Sequence, residues 1–359
     1  MTARKVIFDT DPGIDDACAL ALVAASPALE LVGITSVFGN APVGTTTRNA
    51  LYLRRRYGLA APVARGAARP LACPPRDFPA FIHGENGLGD FPLPGLAETG
   101  QDPADRPHAL DAAHFIVEQL RAAPGEITLI AVGPLTNLAM ALDIDPGITS
   151  LAAELVVMGG AFGTAGRPGN VSPVAEANIY NDPHAADRVL TAPWPVRLVG
   201  LDVTTLCVMS GAYMAALRDR APGIGGFLYD ITRFYEGLYR SRDGIDGINA
   251  HDALAVARAI DPTLFTERRG PVRAVTEGIA IGQTIQRVED IRYPPGPWDN
   301  LPAQSVCLTA DNERFLRLYA DTLAAWDAAG PLIPGNAPGT PWRDIRQETS
   351  ARTPRSPGP

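Results

Sequence analysis

The chain has 359 residues, 46% of them hydrophobic, so it can bury a core without disulfide or metal staples. Its net charge is −8 and its basic residues are scattered, which argues against nucleic acid as a partner. No apolar run approaches the roughly 20 residues that span a bilayer, and Cys18, Cys73, Cys207 and Cys307 form no paired motif, so no membrane partner and a reduced, cytoplasmic setting are expected.

In chain order, apolar runs of strand length alternate with segments of helical period. "KVIFDTD" precedes the helical "IDDACALALVAA", "LELVGITSVFG" precedes "TTTRNALYLRRRYG", and "ITLIAVG" precedes "PLTNLAMALDI". "ELVVMGG" is followed by a polar loop, the helical "DPHAADRVL" and the strand-like "PVRLVGLDVT". The alternation, with strands apolar throughout, predicts an α/β fold: a mostly parallel central sheet with helices on both faces. Residues 66–107 read as a long proline-rich loop, with "IHGENGLGD" as a flap, and Pro222 to Asn249 reads as a helix ending in "RDGIDGIN". One domain over 1–330 and a Pro/Gly-rich, poorly ordered tail over 331–359 are expected.

In open α/β sheets ligands sit beyond the carboxyl ends of the strands. Here those ends carry "DTDPG", "VFGN", "AVGPLTN" and "MGGAFG". The first continues as "DTDPGIDDA", with four aspartates. Asp9 and Asp11 alternate along an extended segment and leave one face of it; Pro12 and Gly13 turn the chain; Asp15 and Asp16 begin a helix. A helix cap explains one or two acidic residues but not Asp9 and Asp11.

Carboxylates converging on one point repel one another unless a cation lies between them, and an oxygen-only set selects Ca²⁺ or Mg²⁺ over zinc. An EF-hand loop is excluded, because Ile14 and Leu20 stand where its glycine and glutamate belong. The remaining donors must come from distant segments. His251 and Asp252 open the apolar helix of "NAHDALAVARAI", and "GNVSPVAEANIYNDP" clusters Asn170, Glu176 and Asn178 in a way that suits a ligand with several hydroxyls. Taken singly, these are a capped helix start and a turn-rich surface loop.

Together, "DTDPGIDDA", "FGN", "HGENGLGD", "GPLTNLA", "VMGGAF", "GNVSPVAEANIYNDP" and "HDALAV", in this order and spacing, resemble the inosine-uridine preferring nucleoside hydrolases from about Lys5 to beyond Ala280. The resemblance implies an N-ribohydrolase that splits ribonucleosides into ribose and base. It implies Ca²⁺ held by Asp11, Asp16, Asp252 and the Val132 carbonyl, with Asp15 as general base on a water. Asn40, Asn170, Glu176, Asn178 and the Met158 backbone would grip the ribose. His251 would protonate the leaving base, His83 would close over it, and Asp9 would support the metal loop. Tyr235, Tyr239 and Arg242 are candidates for contacts on the base side. A homodimer or homotetramer is the family's usual assembly. Relatives commonly carry an aromatic where "EAN" has Ala177, which implies a wider pocket, and His251 resembles the nonspecific and pyrimidine-preferring members.

The chemistry is coherent on physical grounds. N-glycosidic cleavage builds positive charge on the sugar, which a carboxylate-rich pocket stabilises. Protonating the base suits histidine, with its ordinary pKa of about 6.5. Two rivals carry other chemistries. A haloacid dehalogenase-type phosphatase also opens with D-x-D, but it wants a Ser or Thr soon after and a later lysine, whereas Pro12, Gly13 and Ile14 follow here and Lys5 is the sole lysine. The same lysine count excludes a P-loop. A calcium-dependent nucleoside-binding protein without turnover is the other; Asp15 and His251 speak against it.

Overall fold

A computed structural model describes residues 3–93, 105–288 and 291–330. The expected tail, 331–359, and residues 94–104 of the expected proline-rich loop lie outside the described residues.

The strands in chain order are β1 (Arg4–Thr10), β2 (Leu29–Ser36), β3 (Val63–Arg65), β4 (Ile127–Ala131), β5 (Glu154–Met158), β6 (Val196–Val199), β7 (Val208–Ser210), β8 (Gly247–Asn249), β9 (Phe265–Gly270), β10 (Val272–Ala274), β11 (Thr284–Gln286) and β12 (Gln304–Ala310). The helices are α1 (Ile14–Ala25), α2 (Val43–Arg56), α3 (Ala80–His83), α4 (Ala112–Ala122), α5 (Thr136–Ile144), α6 (Ala177–Asn181), α7 (Pro183–Thr191), α8 (Leu201–Thr204), α9 (Gly211–Arg220), α10 (Ile224–Asp243), α11 (His251–Ile260) and α12 (Asn312–Ala328).

Among the described residues the main sheet has eight strands in the order β3-β2-β1-β4-β5-β6-β12-β9, all parallel except the β12–β9 edge pair. The middles of its central strands are apolar on both sides because helices cover both faces. Val6, Phe8, Ile130, Val156 and Met158 join the core built with α1, α10, α11 and α12. Ile7, Leu129, Ala131, Leu155 and Val157 join the core built with α4, α5 and α7. Helices on both faces of a mostly parallel sheet are what the alternation predicts.

Strand order runs outward from β1 in both directions, which opens a crevice beyond the carboxyl ends of β1 and β4. Val132 N donates to Asp9 O at 2.8 Å and Val37 N to Thr10 O at 3.0 Å, so the segments after β4 and β2 stay level with β1. On this rim the metal-like and sugar-like motifs meet.

Three expectations need correction in detail. "PVRLVGLDVT" is strand only to Val199; a Cβ at Gly200 would lie 2.7 Å from Gly160 O, and the chain turns there into α8. The helix expected from Pro222 to Asn249 ends at Asp243, capped by left-handed Gly244 (φ 66°), and β8 follows, paired antiparallel with β7. The long loop after β3 contains α3, which ends in His83.

Candidate active site

The chain from Asp11 to Asp16 forms one bend, with β1 ending just before it at Thr10 and α1 beginning within it at Ile14. Asp16, in the first turn of α1, accepts hydrogen bonds from Thr10 Oγ1, from Gly13 N at 2.9 Å and from Asn40 Nδ2 at 3.0 Å. Asp11 Oδ2 accepts Asn40 N at 2.7 Å. Asp252 arrives on the first turn of α11, which packs against α1 and β5. Carboxylate oxygens of Asp15, Asp16 and Asp252 then lie within 4.8 Å of one another.

Two glycines permit this approach. A Cβ on Gly13 would stand 2.6 Å from His83 Nδ1 and 2.8 Å from Asn40 Nδ2. Gly39 has φ 155°, and a Cβ there would collide with the Asp11 carboxylate.

The electrostatics of this bend are unfavourable for a cap alone. Two like charges about 4 Å apart repel by about 4 kcal/mol at an effective dielectric of about 20, whereas an N-cap contributes about 1 kcal/mol. Burial, reinforced by the neighbouring carboxylates, holds Asp11 and Asp252 well above the usual carboxylate range, and burial pushes Asp15 and Asp16 up to about 6. Asp11 Oδ1 and Asp15 Oδ1 are shielded from solvent without a hydrogen-bond partner among the described residues. Asp11 is not one of the three carboxylates that approach within 4.8 Å, although its charge acts on Asp252; the all-oxygen trio of Asp15, Asp16 and Asp252 fits a hard divalent cation, and its lack of sulfur or imidazole disfavours zinc.

Asp9 has a different setting. Its Oδ1 accepts Thr35 Oγ1 at 2.5 Å and Asn137 Nδ2 at 2.7 Å, which ties β1 to β2 and to the start of α5, and burial pushes its pKa up to about 6. Asn137 also donates to Ser36 O at 3.1 Å and accepts Ala67 N at 2.9 Å, so this knot fixes the rim beneath the acidic group.

The polar loop closes the neighbouring side. Glu176 caps α6, accepting Asn178 N at 2.9 Å, Ile179 N at 3.2 Å and Gly160 N at 3.0 Å; burial pushes its pKa up to about 7. Asn178 Nδ2 bridges Val132 O at 2.9 Å and Met158 O at 3.1 Å. Three residues named from distant motifs therefore share one side chain's hydrogen bonds. Asn170 is exposed, and its Oδ1 accepts Ala177 N at 3.1 Å.

Opposite lies a wall of histidine and tyrosine. The His83 ring packs tilted against Tyr235 with centroids 5.4 Å apart; His83 Nδ1 accepts Ile14 N at 3.3 Å and lies 4.0 Å from Asp15 Oδ1. His251 Nε2 pairs with Tyr239 Oη at 2.8 Å and Nδ1 with Thr204 Oγ1 at 2.8 Å. Tyr239 Oη donates to Tyr235 Oη at 3.3 Å, the two rings edge to face. Arg242 lies over Tyr239 and pairs with Asp243 at 2.8 Å. Burial pushes both histidines down to about 4, with Arg242 adding to the effect on His251. The imidazole expected to titrate near neutrality is thus neutral in the free protein.

Sequence reasoning missed Thr204, Thr10, Asn137 and Thr35. A hydroxyl at the end of a strand run was the available signal for Thr204 and Thr10; Asp16, the partner of Thr10, lies in the same motif, whereas His251, the partner of Thr204, is 47 residues away.

Fold and rim together define an enzyme scaffold with a mostly parallel sheet between helices and a polyacidic centre at the strand-order reversal. The chain belongs to the inosine-uridine preferring nucleoside hydrolase family, whose model matches residues 6–317. It is 38% identical over 315 residues to uridine nucleosidase 1 of Arabidopsis thaliana, covering 87% of this chain and 91% of that one. It is 37% identical over 323 residues to the inosine-uridine preferring nucleoside hydrolase of Leishmania major, covering 89% and 97%. A solved plant nucleoside hydrolase superposes with a TM-score of 0.83 at 35% identity, covering 90% of this chain and 99% of that one. The chain is a nucleoside hydrolase, an enzyme that hydrolyses ribonucleosides. No helix among the described residues is long and apolar enough to cross a membrane.

Proposed function

We propose that this hydrolase is calcium-dependent and that Asp11, Asp16, Asp252 and the Val132 carbonyl hold the ion. The observation that carries the reading is the convergence of the Asp15, Asp16 and Asp252 carboxylates from two helix starts, with unpartnered oxygens on Asp15 and on Asp11 just beyond the strand end. A bound ion would supply a fixed positive charge that acidifies a water and orients the ribose hydroxyls.

The chain's own groups do the rest. Asp15 Oδ1 takes a proton from the attacking water as the C1′–N bond breaks, and the bonding electron pair leaves with the base. Asn40, Glu176, Asn178 and the Met158 backbone fix the sugar from inside, and Asn170 meets it from the mouth. The buried acidic residues stabilise the positive charge growing on the ribose. His251, with Tyr239 on its Nε2, delivers the proton to the departing base. Because burial holds the free imidazole neutral, His251 first takes a proton from solvent as negative charge develops on the base beside it, then passes that proton to the base, and the proton received by Asp15 is returned to solvent. His83 and Tyr235 cover the base, and Asp9 keeps the rim in place.

Uridine is the first substrate to try, since relatives carry the names uridine nucleosidase and inosine-uridine preferring hydrolase. We place the activity in one domain over residues 1–330. A cytoplasmic dimer or tetramer fits four unpaired cysteines and the family's habit, and sedimentation equilibrium tests the assembly.

The deciding experiment is reducing-sugar release from a panel of purine and pyrimidine nucleosides, in excess Ca²⁺, in excess Mg²⁺ and in chelator. Activity with Ca²⁺, lost in chelator and restored by Ca²⁺, is expected. Full activity in chelator, or restoration by Mg²⁺ alone, would overturn the calcium reading.

A further inference from the structure

A second group of ligating side chains lies apart from the acidic centre, where the loop following β3 crosses the corner between α6 and α7. Cys73, Asp182 and His184 bring a thiol, a carboxylate and an imidazole within 4.8 Å of one another. Three contacts lay the loop there: Leu71 N donates to Asp182 Oδ2 at 2.9 Å, Cys73 Sγ meets Asn181 O at 3.9 Å, and the Arg76 guanidinium stacks 3.5 Å above the Tyr180 ring.

The three groups are not equally satisfied. Asp182 is anchored as the cap of α7, accepting Ala185 N at 3.0 Å and Thr136 Oγ1 at 2.8 Å. His184 Nδ1 is shielded from solvent and has no hydrogen-bond partner among the described residues. Burial and the Asp182 charge push the Cys73 thiol up, so it is protonated in the absence of a cation. A strong polar nitrogen buried without a partner is rare in folded chains and asks for an explanation.

The geometry points to a second metal site, in which Cys73 Sγ, Asp182 and His184 Nδ1 bind Zn²⁺ and water completes the shell. Sulfur with one imidazole and one carboxylate is a donor set for a borderline-soft ion; calcium takes oxygen alone. Charges balance, since one thiolate and one carboxylate neutralise the dication in a half-buried pocket. Binding forms the Zn–S bond and releases the thiol proton to water, with no change of oxidation state. A nucleophilic cysteine would need the opposite environment, one that depresses its pKa.

The consequence is mechanical. The loop that carries Cys73 ends at His83, and the corner that carries Asp182 begins at Glu176 and Asn178. The ion would clamp the base cover to the sugar-gripping corner. The site shares no ligand with the acidic centre, so it stands whether or not that centre holds calcium.

The test uses the full chain, reduced, freed of metal by a chelator and returned to excess Ca²⁺ so that the acidic centre is occupied. Titration with Co²⁺ should give a sulfur-to-cobalt charge-transfer band that saturates at a single ion, is displaced by Zn²⁺, and is lost in Cys73→Ser and His184→Ala. Native alkylation gives a second readout without mutation. Cys18, Cys207 and Cys307 are buried, so iodoacetamide reports Cys73, and Zn²⁺ should slow its alkylation about 10-fold. Absence of the band in the unmutated chain, a band that survives in either variant, or an alkylation rate indifferent to zinc would overturn the proposal.

Discussion

The two sides of the pocket are built on opposite principles. The acidic side collects Asp11, Asp15, Asp16 and Asp252 and leaves oxygens of Asp11 and Asp15 without partners. The histidine–tyrosine side satisfies itself: both nitrogens of His251 are engaged, and Tyr239 links it to Tyr235. Burial disfavours charge on both sides, raising the carboxyls and lowering the imidazoles. One side is therefore incomplete until a cation arrives, and the other is complete until the leaving base disturbs it.

The sharpest way to break this contrast is Asp15→Asn, which keeps shape and removes the base. The turnover of uridine should fall about 10³-fold with KM little changed. A loss below about 10-fold would show that Asp15 only fills space. Next is His251→Ala, with an expected loss of about 10²-fold on uridine. An activated nitrophenyl riboside, whose leaving group needs no proton, should be cleaved at nearly the parent rate; an equal loss on both substrates would remove His251 from proton delivery.

Thr204→Val tests whether the self-satisfied side depends on its hydroxyl. Losing one hydrogen bond of about 1 kcal/mol predicts a reduction of about 5-fold in turnover, together with a shifted pH–rate profile. A merely structural role would leave the profile in place.

The smallest effect expected is on stability against pH. In the folded, ion-free chain Asp9, Asp15 and Asp16 sit at about 6 and Glu176 at about 7, above the unfolded value of about 4. Their contribution is fully present below the unfolded pKa and is lost as pH rises through the folded values. His83 and His251, lowered to about 4, work the other way: their contribution is present above about 6.5 and lost as pH falls through the folded pKa. The carboxyls outnumber the imidazoles, so the Tm of chelated protein should fall by several degrees from about pH 5 to about pH 8. Calcium should flatten that slope. Differential scanning calorimetry at matched ionic strength checks both statements, and a rising slope in chelator would show that the acidic side is not buried as described.

Much of the acidic rim was legible because its residues are local. "DTDPGIDDA" spaces Asp11, Asp15 and Asp16 around a single bend, and "HDALAV" puts His251 and Asp252 at a helix start. The α/β alternation was legible because covered strands are apolar throughout. The partners were not. Nothing in "PVRLVGLDVT" marks Thr204 as the group on His251 Nδ1, and nothing in "FGN" shows that Gly39 is required by the Asp11 carboxylate. The pair Cys73 and His184 went unread for the same reason, since more than a hundred residues and two strands separate them.

By itself the sequence determined the sheet, the family and the chemical types gathered at the strand ends, because periodicity and residue identity are local properties. Only the tertiary structure decided how much charge those types can carry. Desolvation and the distance between groups are set by packing from both sides of the sheet, so the neutral His251, the raised carboxyls and the thiol beside an orphaned imidazole exist only once the chain has closed around them.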